Sequence, residues 1–284
     1  MHSGQNRVKF FASNGSGDSQ KWEYPIFHDG PGDLDQGGTL HILAIGVDQY
    51  PGGKPVLGDL KFAGLDAMAF AQTAARAMKG HNKDVDVRTL CQVDGCSAPP
   101  TLTNILKALE HVARSDEHDT VVVFLAGHGE SAGGKYFFLP TDFQRLGADA
   151  RNGANALDWE KVKDALGSAR GTKLLFVDAC HSGTSFNASL LNDARQQGVI
   201  AFSSAKSNEV AWEDSEIQHG LFTYWLIRGL KGEAEDAEHA VTVYQLGAFL
   251  AEKVPEYAAR RRLTRQDPIF ASLLDANPAI AWLR

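Results

Sequence analysis

Long apolar runs are missing from this 284-residue chain. No stretch of 18 apolar residues occurs, so no segment is expected to cross a membrane. The N-terminus is polar and rich in Gly and Ser, without the apolar core of a secretory signal. Cysteine is scarce: Cys91, Cys96 and Cys180 are too few, and odd in number, for a disulfide scaffold. That scarcity fits a reducing cytoplasm, which keeps Cys180 a thiol. Cys91 and Cys96 lie five apart with no second pair, so two thiols are expected rather than a zinc site. Excess positive charge is also lacking. The 28 Lys and Arg against 35 Asp and Glu give a net charge of −7, which argues against nucleic acid as the main partner. The loop from Asp48 to Asp59 has glycines but neither GxGxxG nor GK[ST], which sets aside a nucleotide-binding reading.

What the chain does have is alternation of strands and helices. With 43% hydrophobic residues it can bury a large core. Residues 1–38 read as a flexible leader, with Val8–Ser13 a candidate edge strand; residues 39–284 read as one domain. Buried strands are predicted over Leu40–Val47, Asp119–Gly127, Lys173–Ala179 and Gly198–Ser203, with Val85–Leu90 alternating as another. Short strands are predicted at Lys135–Pro140 and Pro268–Phe270. Helices are predicted from Leu60 to Met78, after Thr101, from Asp158 to Ala169, from His219 to Leu230 and from Val241 to Lys253. This order predicts an α/β protein: a mostly parallel sheet between two layers of helices.

Two of the strands end on reactive side chains. VVVFLAG leads into His128-Gly129, and LLFV leads into Asp178-Ala179-Cys180-His181-Ser182-Gly183. Carboxyl ends of parallel strands are where open α/β sheets hold ligands. A thiolate attacks carbonyl carbon well when a neighbouring base takes its proton, so Cys180 is the candidate nucleophile and His128 the candidate acid/base. His181 follows Cys180 directly and reads as lining the site. A metal site built from Asp178, Cys180, His181 and His128 fits no structural zinc spacing, and none is expected.

His128 precedes Cys180 by 52 residues, and caspase-type enzymes place their histidine about 50 residues before a Gln-Ala-Cys-x-Gly signature. With Asp178-Ala179-Cys180-His181-Ser182-Gly183, the chain resembles the caspase-like cysteine peptidases of clan CD, and most closely bacterial metacaspase- and orthocaspase-type enzymes. The likeness covers Leu40 to about Phe270. It implies a caspase-like three-layer α/β/α sandwich, with Cys180 and His128 as the dyad and the N–H groups of Gly129 and Cys180 as oxyanion donors.

In caspases the pocket for the residue before the cut (P1) holds two arginines and a glutamine and takes aspartate. Here Asp178 replaces the glutamine and Glu213, in Ala211-Trp212-Glu213, replaces an arginine. Asp66, in Leu65-Asp66-Ala67, matches a pocket aspartate of metacaspases. Acids in these positions imply cleavage after Arg or Lys. Trp212 is placed on the neighbouring side of the groove and Ser203 at the pocket. Many metacaspases carry Ser where this chain has Ala126. Calcium-dependent ones need several acids, for which Asp142 and Asp158 are candidates while Asn187 holds another position; calcium stays open, and no other cofactor is expected.

The resemblance further implies a zymogen cut in the loop Thr184–Gln197, with Arg195 the candidate and Arg151 and Arg145 others in the earlier loop. It implies protein or peptide substrates, an upstream activating protease, and a setting in bacterial cell death or antiviral defence. The expected location is the cytoplasm, with neither membrane nor nucleic acid as partner. The rival reading is a caspase-fold scaffold without turnover, against which the paired His128 and Cys180 speak.

Overall fold

The computed structural model describes residues 4–10, 13–14, 17–18, 22–28, 37–54, 57–80, 82–146, 154–182, 193–194, 196–206, 209–235, 239–261, 263–272 and 278–282, with backbone alone at 4–28 and 180–182. It divides into two units, Met1–Gly37 and Gly38–Arg284. In the first, Gly4–Phe10 pairs antiparallel with Trp22–His28, from Gly4 opposite His28 to Phe10 opposite Trp22. Val8–Ser13 suggested an edge strand; the strand found there has its own partner within the unit.

The second unit is built on one sheet. Its principal strands are β1 (Thr39–Gly46), β2 (Asp84–Leu90), β3 (Thr120–Ala132), β4 (Thr172–Ser182), β5 (Val199–Ser203) and β6 (Ile269–Ala271). Their spatial order is β6-β5-β4-β3-β1-β2, parallel except for β6. The helices are α1 (Ala63–Ala77), α2 (Leu102–Val112), α3 (Trp159–Ser168), α4 (Leu221–Arg228) and α5 (Val243–Arg260). The chain steps outward from β1 to β2 and in the other direction from β3 to β4. With crossovers of one hand, these two steps put their helices on opposite faces. Accordingly α1, α4 and α5 cover the face of Ile42, Phe124 and Phe176, while α2 and α3 cover that of Leu43, Val123 and Leu175. Burial on both sides is why these strands read as nearly continuous apolar runs. The predicted sandwich is the observed one.

A row of phenylalanines fixes the register. Phe124, Phe176, Phe202 and Phe270 are partners on β3, β4, β5 and β6. Phe176 stacks on Phe202 at 5.0 Å, Phe202 on Phe270 at 5.5 Å, and Phe70 of α1 stacks on Phe124 at 4.5 Å. Each aromatic pair contributes about 0.5–1.5 kcal/mol beyond its burial. A slip by one residue would turn the whole row to the other face, so the register is strongly specified. Four residues beyond Phe124 is His128, and four beyond Phe176 is Cys180.

Several boundaries differ from expectation for local reasons. β3 and β4 run past Gly127 and Ala179, because β3 turns at Gly133 and Gly134, both with positive φ, and returns as Lys135–Phe138. The helix expected from His219 starts at Leu221, since His219–Gly220 pairs with Glu213–Asp214. Val241 lies in a strand, Ala240–Thr242, paired with Ala279–Trp282; the helix after it carries a full capping box at Thr242 and Gln245. Thr101 and Asp158 cap α2 and α3 as predicted. Cys91 and Cys96 were expected as thiols and are joined by a disulfide instead. A tight turn with Gly95 at φ 93° brings their Cα atoms to 5.7 Å. No helix among the described residues is long and apolar enough to cross a membrane.

Candidate active site

The sheet order changes direction between β1 and β3, and the crevice above that point is the expected place for a ligand. The candidate residues gather there. Cys180 is the register partner of His128, Asp178 of Ala126, and His181 of Gly129. Adjacent strands lie about 4.8 Å apart, so the Cys180 and His128 positions are immediate neighbours across one ladder.

The loop after β1 holds His128. The hydroxyl of Tyr50, a fully buried residue, accepts the His128 backbone N–H at 2.7 Å and donates to Val47 O at 3.0 Å. The Tyr50 and His128 rings pack with centroids 4.7 Å apart. His128 Nε2 lies 2.8 Å from Gly58 O. A carbonyl only accepts, so Nε2 carries the proton and Nδ1 of the neutral ring is left as the basic nitrogen. Burial pushes the imidazole pKa below its ordinary value, against the pull of Gly58 O and of the charges on Glu213 and Asp59. At neutral pH the His128 ring is therefore neutral. Sequence reasoning missed Tyr50 and Gly58.

Glycines allow the close packing here. A Cβ at Gly127 would stand 2.8 Å from the Tyr50 hydroxyl, and one at Gly129 would collide with the Tyr136 hydroxyl. The glycine after the histidine is thus required sterically, whatever its backbone N–H does in the reaction.

Beside this pair lies a narrow pocket lined by Asp66, Asp178, Trp212, Glu213 and Gly220, with Leu60, Ala126 and Gly127 among its other walls. Asp178 comes from β4. It is buried, and its Oδ2 accepts the Thr223 hydroxyl of α4 at 2.6 Å. Asp66 comes from the first turn of α1. Its Oδ2 accepts Gly220 N–H at 2.8 Å and its Oδ1 lies 2.5 Å from His219 Nδ1. Burial pushes Asp66 up to about 7, against the His219 hydrogen bond and helped by the charge on Asp178. Burial likewise pushes Asp178 up to about 6, against the Thr223 hydrogen bond. Thr223, His219 and Gly220, which set these two acids, had no motif in the sequence to mark them.

Glu213 lines the pocket but has a second task. Its carboxylate accepts the N–H groups of Lys61 and Phe62, at 2.9–3.1 Å, where α1 begins. Asp48 accepts Gly64 N–H at 3.0 Å in the same turn. Trp212 is held by Gln266 through its N–H and by Thr264 through its indole nitrogen. Ser203, expected at the pocket, is fully buried with its hydroxyl 3.4 Å from Ala205 O, and is not among the pocket walls. The inward turn of β5's last residue takes it there.

Arg145 was a candidate cleavage point. Its side chain is 11% exposed and pairs with Glu130 at 2.5 Å, so in the folded chain it is withdrawn from a protease. Arg151 and Arg195 lie outside the described residues. The aspartates offered to calcium are both engaged at helix starts: Asp142 accepts Leu102 N–H at 2.8 Å, and Asp158 accepts Glu160 N–H at 3.0 Å while meeting Lys135 Nζ at 3.1 Å.

The sequence profile described as "Caspase domain" matches residues 40–274, most of the chain. Among solved structures, a crystal structure of a protein from Geobacter sulfurreducens shares this fold with a TM-score of 0.57. It is 18% identical, over 87% of this chain and 97% of that one. No curated protein matches the chain.

Proposed function

This chain belongs to the Caspase domain family, and we propose that within it the chain is an active cysteine endopeptidase of metacaspase type, cutting proteins after arginine or lysine. The observation that carries the reading is the convergence of Asp66 and Asp178 on Gly220, in a pocket beside the Cys180–His128 register pair. A guanidinium or ammonium entering that pocket meets two carboxylates, and aspartate meets repulsion. Glu213, already shared with the start of α1, adds negative charge at the mouth.

In the proposed reaction, His128 Nδ1 takes the thiol proton and Cys180 sulfur attacks the carbonyl carbon. The C=O π pair moves onto oxygen, where the N–H groups of Gly129 and Cys180 are the proposed donors. The intermediate collapses, the C–N bond breaks, and His128 returns the proton to the leaving amine. Water, deprotonated by His128, then attacks the thioester and releases the acid and the thiol. Gly58 O supports both halves by holding the imidazole in one tautomer. The loop with Arg195 is the proposed activation cut, made by this enzyme or another of basic specificity. Regulated proteolysis in cell death or defence is the proposed setting.

The test is turnover of fluorogenic peptides with Arg, Lys or Asp at P1, by wild type and Cys180→Ala, before and after a trace of trypsin. Hydrolysis after Arg or Lys that vanishes in Cys180→Ala is expected, rising after trypsin. Hydrolysis after Asp would overturn the pocket assignment. Hydrolysis undiminished in Cys180→Ala would overturn the nucleophile. Inactivity in every arm, together with no labelling of Cys180 by a peptidyl-arginine electrophile, would favour the scaffold.

A further inference from the structure

At the opposite end of the sheet is a group of side chains that the peptidase reaction does not use. His41 of β1 and Asp86 of β2 are register partners. His111, in the last turn of α2, reaches down onto them. His41 pairs across β1 with Val121 of β3, seven residues before His128, which places the group ~23 Å along the sheet from the active site.

Three features of this group are those of a metal centre. The potential ligand atoms of His41, Asp86 and His111 lie within 4.8 Å of one another. His41 Nδ1 is 3.4 Å from Asp86 Oδ2, and two ligands each ~2.0–2.1 Å from a tetrahedral zinc are ~3.3–3.4 Å apart. The third feature concerns the other nitrogen of His41. Nε2 is 3.3 Å from Asp119 Oδ2, and Asp119 is itself anchored by the N–H groups of Thr39 and Asp116, each at 2.7 Å. Metal-binding histidines turn one nitrogen to the metal and donate the other N–H to a carboxylate held in place, as His41 does here. A simple ion pair has no need of that relay.

We propose that His41, Asp86 and His111 bind a divalent transition metal of the zinc class, with Asp119 as the positioning residue and water completing the shell. Two imidazoles and one carboxylate suit zinc over calcium or magnesium, which take oxygen ligands. His111 Nε2 lies 2.5 Å from Asp86 Oδ2, closer than two ligands of one ion stand; when the ion enters, His111, which is about a third exposed, moves outward by a rotamer adjustment. Arg88, half exposed and 3.5 Å from Asp86, swings into water when the ion enters. The bound ion would join α2 to the β1–β2 edge of the sheet.

The experiment uses the full chain with Cys180→Ala, so that the active-site thiol offers no ligand. Cobalt(II) is titrated while the visible spectrum is recorded, and zinc is then added in competition; melting temperature is measured with and without zinc. Tetrahedral cobalt bands without sulfur charge transfer are expected, displaced by zinc, with a rise in melting temperature of several degrees. His111→Gln, a substitution at a partly exposed helix end, should lose both signals and keep the circular dichroism of the fold. Asp119→Asn should keep the bands and weaken affinity ~10–100-fold. No cobalt bands, sulfur charge transfer, or an undiminished response in His111→Gln would overturn the site.

Discussion

Asp66 and Asp178 share Gly220 as a neighbour: a Cβ on that glycine would lie 2.9 Å from Asp66 Oδ2 and 2.8 Å from Asp178 Oδ2. The two acids come from α1 and β4, 112 residues apart in the chain, and the absent side chain is what leaves their carboxylates facing one space.

Gly220→Ala puts a methyl group into that space. The expected result is a fall of about 100-fold in kcat/KM for P1-arginine peptides, the scale of an ångström's misplacement at an active site. Labelling of Cys180 by a small, uncharged thiol reagent should be unchanged. Equal loss in both assays would mean that the substitution disturbs the dyad rather than the pocket.

The pocket acids carry a pH dependence. With Asp66 at about 7 and Asp178 at about 6, both bind protons more tightly when folded than when unfolded. Below these values the two buried acids are protonated and hold a guanidinium poorly. KM for P1-arginine peptides is therefore expected to fall as pH rises from about 5.5 to 7.5. Stability runs the other way. A carboxylate raised by burial favours the fold while protonated and costs stability as pH rises through its folded pKa. Asp66→Asn should stabilise the unliganded protein at pH 8, by roughly 1–3 kcal/mol, while abolishing arginine selectivity. Melting curves at pH 5 and pH 8, beside KM measured across the range, check both directions.

Tyr50→Phe deletes a buried hydroxyl that serves His128 N–H and Val47 O. About 1–2 kcal/mol of stability should be lost, the cost of leaving those groups without a partner. A kcat reduced about 10-fold, with KM little changed, is expected from a looser His128. An unchanged kcat would show that the histidine is held by Gly58 O alone.

Much of this site could be read from the letters of the chain. LLFV and VVVFLA announce strands buried on both faces, and Cys180, His128 and Asp178 follow them directly. Asp66 was legible only through a family motif, since one acid on an amphipathic helix resembles any other. Gly58 was illegible because it contributes a carbonyl, which every residue has. Tyr50 sat in a loop whose glycines and prolines hid its burial. Glu213 could be placed near the pocket, but its hydrogen bonds to Lys61 and Phe62 join residues 151 and 152 apart, beyond any local pattern. Ser203 failed because the parity of a strand's last residue depends on where the strand stops. The expectation of two thiols failed because cysteine scarcity, a property of the whole chain, was set against a local turn.

The capping of α1 by Glu213 and Asp48 bears on how the pocket would discriminate in salt. The start of a helix carries about half a positive charge from its macrodipole, and these two carboxylates spend part of their field on it. What remains to face a substrate at depth comes from Asp66 and Asp178, where mobile ions do not reach. Counterions at physiological strength screen the net −7 of the surface within about 8 Å. Ionic strength should thus slow the approach of a basic substrate while leaving the choice between arginine and aspartate nearly intact.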